Sequence, residues 1–285
     1  MAKTQDIKRR IRSIRNTMQL TRAMKMVSAS KLRKAQARIL AARPYSQQTY
    51  RLLRSLSARA NPEISPLLMR HGDRRIELLV ITGDKGLCGS FNASILRQAE
   101  SFARGLQGKQ ISIAAIGKRG RDYFARRNYD VGNEWIDVLR VVEFPLAAEI
   151  ASHIIEHYVD EKIDEIYLIY NEFKSAIQAR PVVERLLPVE PIELKQGQIA
   201  EDYIYEPDPQ TLLDALLPHY VEQLVFHALL ESVAAEHAAR MTAMDAATKN
   251  AGEMIESLTL TMNRVRQASI TTEIIEVVSG AEALG

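Results

Sequence analysis

"MTAMDAATKNAGEMIESLTLTMNRV", residues 241–265, decides how this chain is built. Within it Met241, Met244, Thr248, Ala251, Ile255, Leu258, Met262 and Val265 alternate steps of three and four without a break. A sustained 3.5-residue repeat on an α-helix is a coiled-coil seam, because every such position returns to one face and asks for a partner helix. The helix reaches well beyond the quoted stretch. Between His219 and Ser279 there is one glycine, Gly252, and no proline, which at 1.5 Å per residue permits a rod of roughly 90 Å. Its start is marked by the Pro-rich EPDPQT (206–211) and Pro218, its end by Gly280.

The only other long seam lies at the opposite end of the sequence. Residues 1–43 contain neither Gly nor Pro, and Ile7, Ile11, Ile14 and Met18 step by four, three and four before drifting to Met24 and Val27. Pro44 is expected to bend this helix, which then runs to about residue 60, where Asn61-Pro62 stops it. For the two helices to flank a central domain and still pair, they must run antiparallel. Past Val265 the polar Ser269 and Thr272 break the seam, while Ile270, Ile274, Ile275, Val277 and Val278 fan over an arc of roughly 160°. One partner helix cannot cover so wide an arc, so a second protein is expected to enclose this tip.

Between the helices the pattern changes. IELLVIT (76–82), ISIAAIG (111–117) and EIYLIY (165–170) are short β-branched runs, separated by helical patterns over 93–104, 120–127 and 146–162. A further strand is expected in Pro181–Pro191, around VVERLLPVE. Strand–helix alternation implies a small, mostly parallel α/β domain. The fold class is therefore α/β: a long antiparallel two-helix coiled coil from the terminal segments (1–60 and 208–284), flanking a central Rossmann-like domain (70–195).

ITGDKGLCGSFN (81–92) raises the question of a nucleotide. A P-loop places four residues between its glycines and then Lys-Ser/Thr, so that amides and lysine converge on phosphate. Here five residues separate Gly83 from Gly89, no lysine precedes Ser90, and Asp84 adds a negative charge to the loop. The glycines are better suited to a tight strand-to-helix turn, with Asn92 or Ser90 available as N-cap. His153, Glu156 and His157 match the H-x-x-E-H pattern of inverted zinc peptidases. Yet no third ligand can be assigned, and nothing in the chain suggests a peptide cleft. The other histidines form no ligand spacing.

Composition narrows the classes further. The 46% hydrophobic and 26% charged content of these 285 residues is that of an ordinary soluble chain, and no window approaches the ~18 apolar residues of a membrane span. Cys88 is the one cysteine, which excludes an internal disulfide. Net charge is only +3, but residues 1–62 carry sixteen Lys/Arg against Asp6 alone, leaving the remainder near −12. Such polarity points to an anionic partner surface. A nucleic-acid-binding coiled coil would also be basic, but only Tyr45 and Tyr50 interleave the first 60 residues.

Three segments together resemble the gamma subunit of F-type ATP synthases: DIKRRIRSIRNTMQLTRAMKMVSASKLRKAQ (6–36), ITGDKGLCGSFN (81–92) and ARMTAMDAATKNAGEMIESLTLTMNRVRQASITTEIIEVVSGAEAL (239–284). The resemblance implies a rotor: a non-catalytic shaft inside a hexamer of alternating alpha and beta subunits, three copies of each. Its α/β domain would stand on the membrane-embedded c-subunit ring, beside the epsilon subunit. It implies no cofactor, no metal, no nucleic acid and no catalytic residue, with indirect membrane association on the cytoplasmic face of a bacterial plasma membrane. Carried over motif by motif, it assigns subunit contacts to Met24 and Lys25 in TRAMKM, Lys85 and Cys88 in the glycine motif, Arg240 in ARMTAM, and Arg266 and Gln267 in RQASIT. The family commonly has Ser where this chain has Gly83, a change expected to loosen the turn. The paired-cysteine insertion of the chloroplast form is missing, and without a presequence a bacterial source is expected.

Overall fold

The structure, a computed structural model, describes residues 2–57, 65–175, 178–190 and 206–282. In chain order the elements are α1 (Ala2–Ser57), β1 (Arg75–Ile81), α2 (Phe91–Gly105), β2 (Gln110–Ile116), α3 (Lys118–Ala125) and β3 (Asp130–Trp135). A 3-10 turn (Val138–Arg140), α4 (Phe144–Val159), β4 (Glu165–Phe173), β5 (Ala179–Leu187) and α5 (Pro209–Glu282) follow. They fall into two compact units, Met1–Ser28 with Arg240–Gly285, and Ala29–Ala239.

The larger unit is built on a five-stranded sheet of order β3-β2-β1-β4-β5. β1 pairs in parallel with both β2 and β4, β2 in parallel with β3, and β5 closes the edge antiparallel to β4. Strand alternation divides the core in two. Ile76, Leu78 and Val80 point toward α2 and α3, meeting Ile95, Ala99 and Phe124. Leu79 and Ile81 point the other way, toward Ile150, Ile154 and Tyr158 of α4, Leu53 and Leu56 of α1, and Leu213 to Leu230 of α5. A parallel sheet covered on both faces needs central strands that are apolar on both sides, which is why β1 reads as a continuous run.

The smaller unit is an antiparallel helix pair. Thr21 lies opposite Thr248 and Lys25 opposite Asp245, whereas Ile14 and Arg10 share a hollow with Met254 and Leu258. As α1 is followed backwards, α5 runs forwards. Every seam position from Met241 to Val265 is buried or half-buried.

Several local features sharpen the sequence reading or depart from it. α5 runs from Pro209 through Pro218 and past Gly280. Asp208 starts it: its carboxylate accepts bonds from the amides of Gln210 (2.9 Å) and Thr211 (3.1 Å) and from the Thr211 hydroxyl (2.6 Å), with Pro209 at the first helical position. These bonds, the Thr211 hydroxyl first, hold the Asp208 carboxyl below its ordinary range. Pro218 is carried because Leu213, Leu217 and Val221 bury one face on the core, which outweighs one lost backbone bond. On α1 the seam passes through Thr21 and Ser28, both buried, and Val27 faces solvent. α1 continues through Pro44 to Ser57; the expected stop at Asn61-Pro62 lies outside the described residues. Finally β3 (DVGNEW), an edge strand, forms where the sequence carries no run of apolar or β-branched residues.

Candidate functional site

In an open α/β sheet, ligands bind outside the carboxyl ends of the strands where the strand order reverses. Here that point is the end of β1, between β2 and β4, where ITGDKGLCGSFN sits. The loop is closed by its own groups. Asn92, on the first turn of α2, accepts the Gly83 amide on Oδ1 (2.9 Å) and donates through Nδ2 to the Lys85 carbonyl (3.3 Å) and Cys88 Sγ (3.2 Å). Neither Ser90 nor Asn92 therefore caps the helix; Ser90 holds the cap position without a side-chain bond, and Asn92 staples the loop instead. That staple ties the Gly83 amide to the first turn of α2.

The neighbouring helix start is occupied too. Asp84 Oδ1 accepts the Lys118 amide at 2.9 Å, so a carboxylate fills the place at the N-terminus of α3 that a phosphate would take. Thr82 ties the two loops together: its hydroxyl donates to the Ile116 carbonyl (3.1 Å) and accepts the Gly120 amide (2.8 Å). Gly117, at φ 94°, lets the chains approach so closely that a Cβ would lie 2.0 Å from the Thr82 carbonyl oxygen. The crevice itself is filled by α5. Ala235 packs on Cys88 and Phe91, and Glu231 accepts the Phe173 amide at 2.8 Å. The turn thus stands as a rigid, self-satisfied projection. Lys85 and Leu87 are exposed on it, Leu87 at φ 62°, and Cys88 is buried beneath.

On the helix pair, Met24 is half-buried and Lys25 bonds Asp245 at 2.5 Å, the two side chains 42% and 63% exposed. Exposed pairs of this kind contribute about 0–1 kcal/mol. The Thr21 and Thr248 hydroxyls meet at 2.8 Å, and Thr248 also bonds the Met244 carbonyl, so the polar step in the seam is satisfied within the pair. Arg240 is half-buried; Arg266 and Gln267 are exposed. Beyond them Ile270, Ile274, Ile275, Val277 and Val278 are 47–73% exposed, an apolar helix end with no cover among the described residues.

The zinc pattern does not assemble. His153 and His157 stack with ring centroids 4.2 Å apart on α4, His153 also meeting Trp135 edge-on, while Glu156 is exposed. Among the described residues, no group of three potential ligands converges. Burial first, then the neighbouring His153, pushes the His157 pKa down. The two rings pack against each other on α4 at an interplanar angle of 54°.

A zipped helix pair ending in a bare apolar tip, joined by chain to a doubly wound sheet whose ligand crevice is plugged by its own helix, defines a structural subunit that works through contacts with other chains. A family model described as ATP synthase matches residues 3–284. An ATP synthase gamma chain from Solibacter usitatus is 52% identical over 98% of each chain, and one from Geobacter metallireducens is 46% identical over 100% of this chain and 99% of its own. Among solved structures, the Tetrahymena thermophila mitochondrial ATP synthase central stalk/c-ring gives a TM-score of 0.63 at 28% identity, covering 80% of this chain and 99% of the other. The rotor of the Euglena gracilis enzyme gives 0.68 at 17% identity, covering 94% and 99%, and shares the fold. The chain belongs to the ATP synthase gamma-chain family. It is a non-catalytic central-stalk subunit of that membrane-associated complex, and its part in ATP synthesis is rotary coupling. Among the described residues, no helix is long and apolar enough to cross a membrane.

Proposed function

We propose that the helix pair turns inside a ring of three alpha and three beta subunits, and that the α/β unit bears on a c-subunit ring with an epsilon subunit beside it. The observation that carries this reading is the tip of α5, where five large apolar side chains over 270–278 stand in solvent directly beyond a satisfied seam. An isolated chain gains nothing from such a surface, whereas an enclosing sleeve buries it and lets it rotate. Coupling then needs no nucleotide on this chain. Each orientation of an asymmetric shaft favours open or closed states of the surrounding catalytic sites through differential contacts.

Within that reading Arg266 and Gln267 meet a beta-subunit loop, Arg suiting a carboxylate through its two-pronged donor geometry. Arg240, Met24 and Lys25 meet the ring lower down. Lys85 meets acidic residues of the beta subunits from the stapled turn, and Cys88 acts by anchoring that turn from beneath. The complex lies on the cytoplasmic face of a bacterial plasma membrane, reached through its partners. A mild-detergent pull-down of the tagged chain tests this. Alpha and beta at three copies each per copy of this chain, with ATP hydrolysis that uncouples from proton pumping in Arg266→Ala/Gln267→Ala, is expected; recovery of the chain alone, or with nucleic acid, overturns it.

A further inference from the structure

Between α1 and α5 in the larger unit, beside the first turn of α4, opens a groove of about 1070 Å3. Its walls are aromatic. Tyr45 and Tyr50 of α1 are 64% and 45% exposed and Phe144 of α4 is 39% exposed; Phe226 of α5 meets Phe144 edge to face, centroids 5.6 Å apart, and Tyr220 completes the lining. Exposed rings on α1 and α4, facing half-buried rings of α5 across one hollow, are unusual for a surface that only faces water.

The same walls are cationic. Arg43, Arg51 and Arg54 lie along the lining of α1; positions 43, 47, 50 and 54 return to one helical face, and Arg51 stands about 80° round the helix from Arg43, at the edge of that face. No acidic side chain lines the groove among the described residues. The charge of Glu184 on β5 acts on Tyr220 and His227, burial pushing the Glu184 pKa up, and His227 Nε2 also lies 3.9 Å from Glu231 Oε1. A neutral apolar occupant would strip water from guanidinium groups without replacing its bonds. An anion replaces them, because arginine donates two parallel bonds to a carboxylate.

We propose that this groove is a binding site for a planar aromatic monoanion, its rings against Tyr45, Tyr50, Tyr220 and Phe226 and its carboxylate on Arg43 and Arg51. Edge-to-face packing favours a flat ring system over an alkyl chain, and the volume suits a drug-sized molecule. This assignment concerns only the larger unit and holds whatever the shaft contacts are.

The test titrates 2-naphthoate into the full-length chain and into the assembled complex, following ligand fluorescence. One saturable site in both is expected, with 2-naphthamide at least about tenfold weaker. Loss of one charge-assisted bond in Arg43→Ala or Arg51→Ala should lower affinity about tenfold or more. Ala42→Trp, which projects an indole into the groove between the arginine and tyrosine walls, should abolish binding with an unchanged circular dichroism spectrum. Arg266→Ala and Ile274→Ser should leave it intact. Equal binding of the amide, unaltered binding by both arginine variants, loss in Ile274→Ser, or binding to the isolated chain but not to the complex would each overturn the proposal.

Discussion

Glu77 stands in the middle of β1 between Ser112 of β2 and Ile166 of β4, 2% exposed, and its Oε2 has no hydrogen-bond partner among the described residues. Burial pushes its pKa up to about 7; a bond from Asn133 pulls it down and the charge of Asp130 pushes it further up. The folded state therefore holds this proton more tightly than the unfolded chain, whose glutamates titrate near 4.5. Below about pH 4.5 both states are protonated and the group contributes no difference. Between about 4.5 and 7 the unfolded chain releases its proton while the fold keeps it, so stability falls as pH rises; above about 7 the loss is complete. At about 1.4 kcal/mol per pH unit the loss is about 3 kcal/mol. Glu77→Gln keeps the shape and an acceptor for Asn133 but cannot ionise. Urea unfolding followed through Trp135, the single tryptophan, should give the variant about 3 kcal/mol more stability than the parent at pH 8 and little difference at pH 4.5. His157 on α4, whose pKa is lowered, contributes stability that rises with pH in both proteins and cancels in the comparison. Parallel pH profiles for the two proteins would refute the reasoning.

At Gly117, alanine would drive a methyl group into the Thr82 carbonyl at a positive φ; a loss of about 2–4 kcal/mol is expected in thermal melts. In the seam, a double-mutant cycle with Thr21→Val and Thr248→Val should show coupling of about 0.5–1 kcal/mol, small because each hydroxyl keeps a backbone acceptor. Lys25→Ala should cost under about 1 kcal/mol of stability, shrinking further in high salt; any large loss of coupled ATP synthesis in that variant therefore reports a contact with another subunit. Dialysis against a chelator should leave the melt and the His153→Ala variant's melt unchanged, since only two ligands face each other on α4.

The C-terminal seam was legible because each of its eight positions carries an apolar or small residue that packs where the repeat puts it. The N-terminal seam was half legible. Thr21 and Ser28 occupy seam positions as buried polar residues, Thr21 with bonding partners in Met18 and Thr248, and a search for apolar periodicity slides to Met24 and Val27 instead. β3 gave no signal, since an edge strand with Asp, Gly, Asn and Glu in six residues is held by its ladder to β2 and by Trp135 packing on the core. The glycine motif was readable as a turn from its spacing, but not Asn92's staple, which depends on the fold bringing Gly83, Lys85 and Cys88 within reach of one amide group. Arg266 and Gln267 are exposed on a single helix. Nothing within one chain distinguishes a contact residue from a solvated one when the surface that would bury it belongs to another subunit.

The most direct test of a rotary shaft is to watch it turn. A biotin placed on the exposed Arg126→Cys just past the end of α3, with the native Cys88 thiol buried, would carry a bead while the alpha and beta subunits are fixed to glass. With ATP present, the bead should rotate in one direction, pausing three times per turn, and Ile274→Asp/Val278→Asp at the apolar tip should impair rotation. Steady ATP hydrolysis under a bead that only jitters without direction would contradict the account.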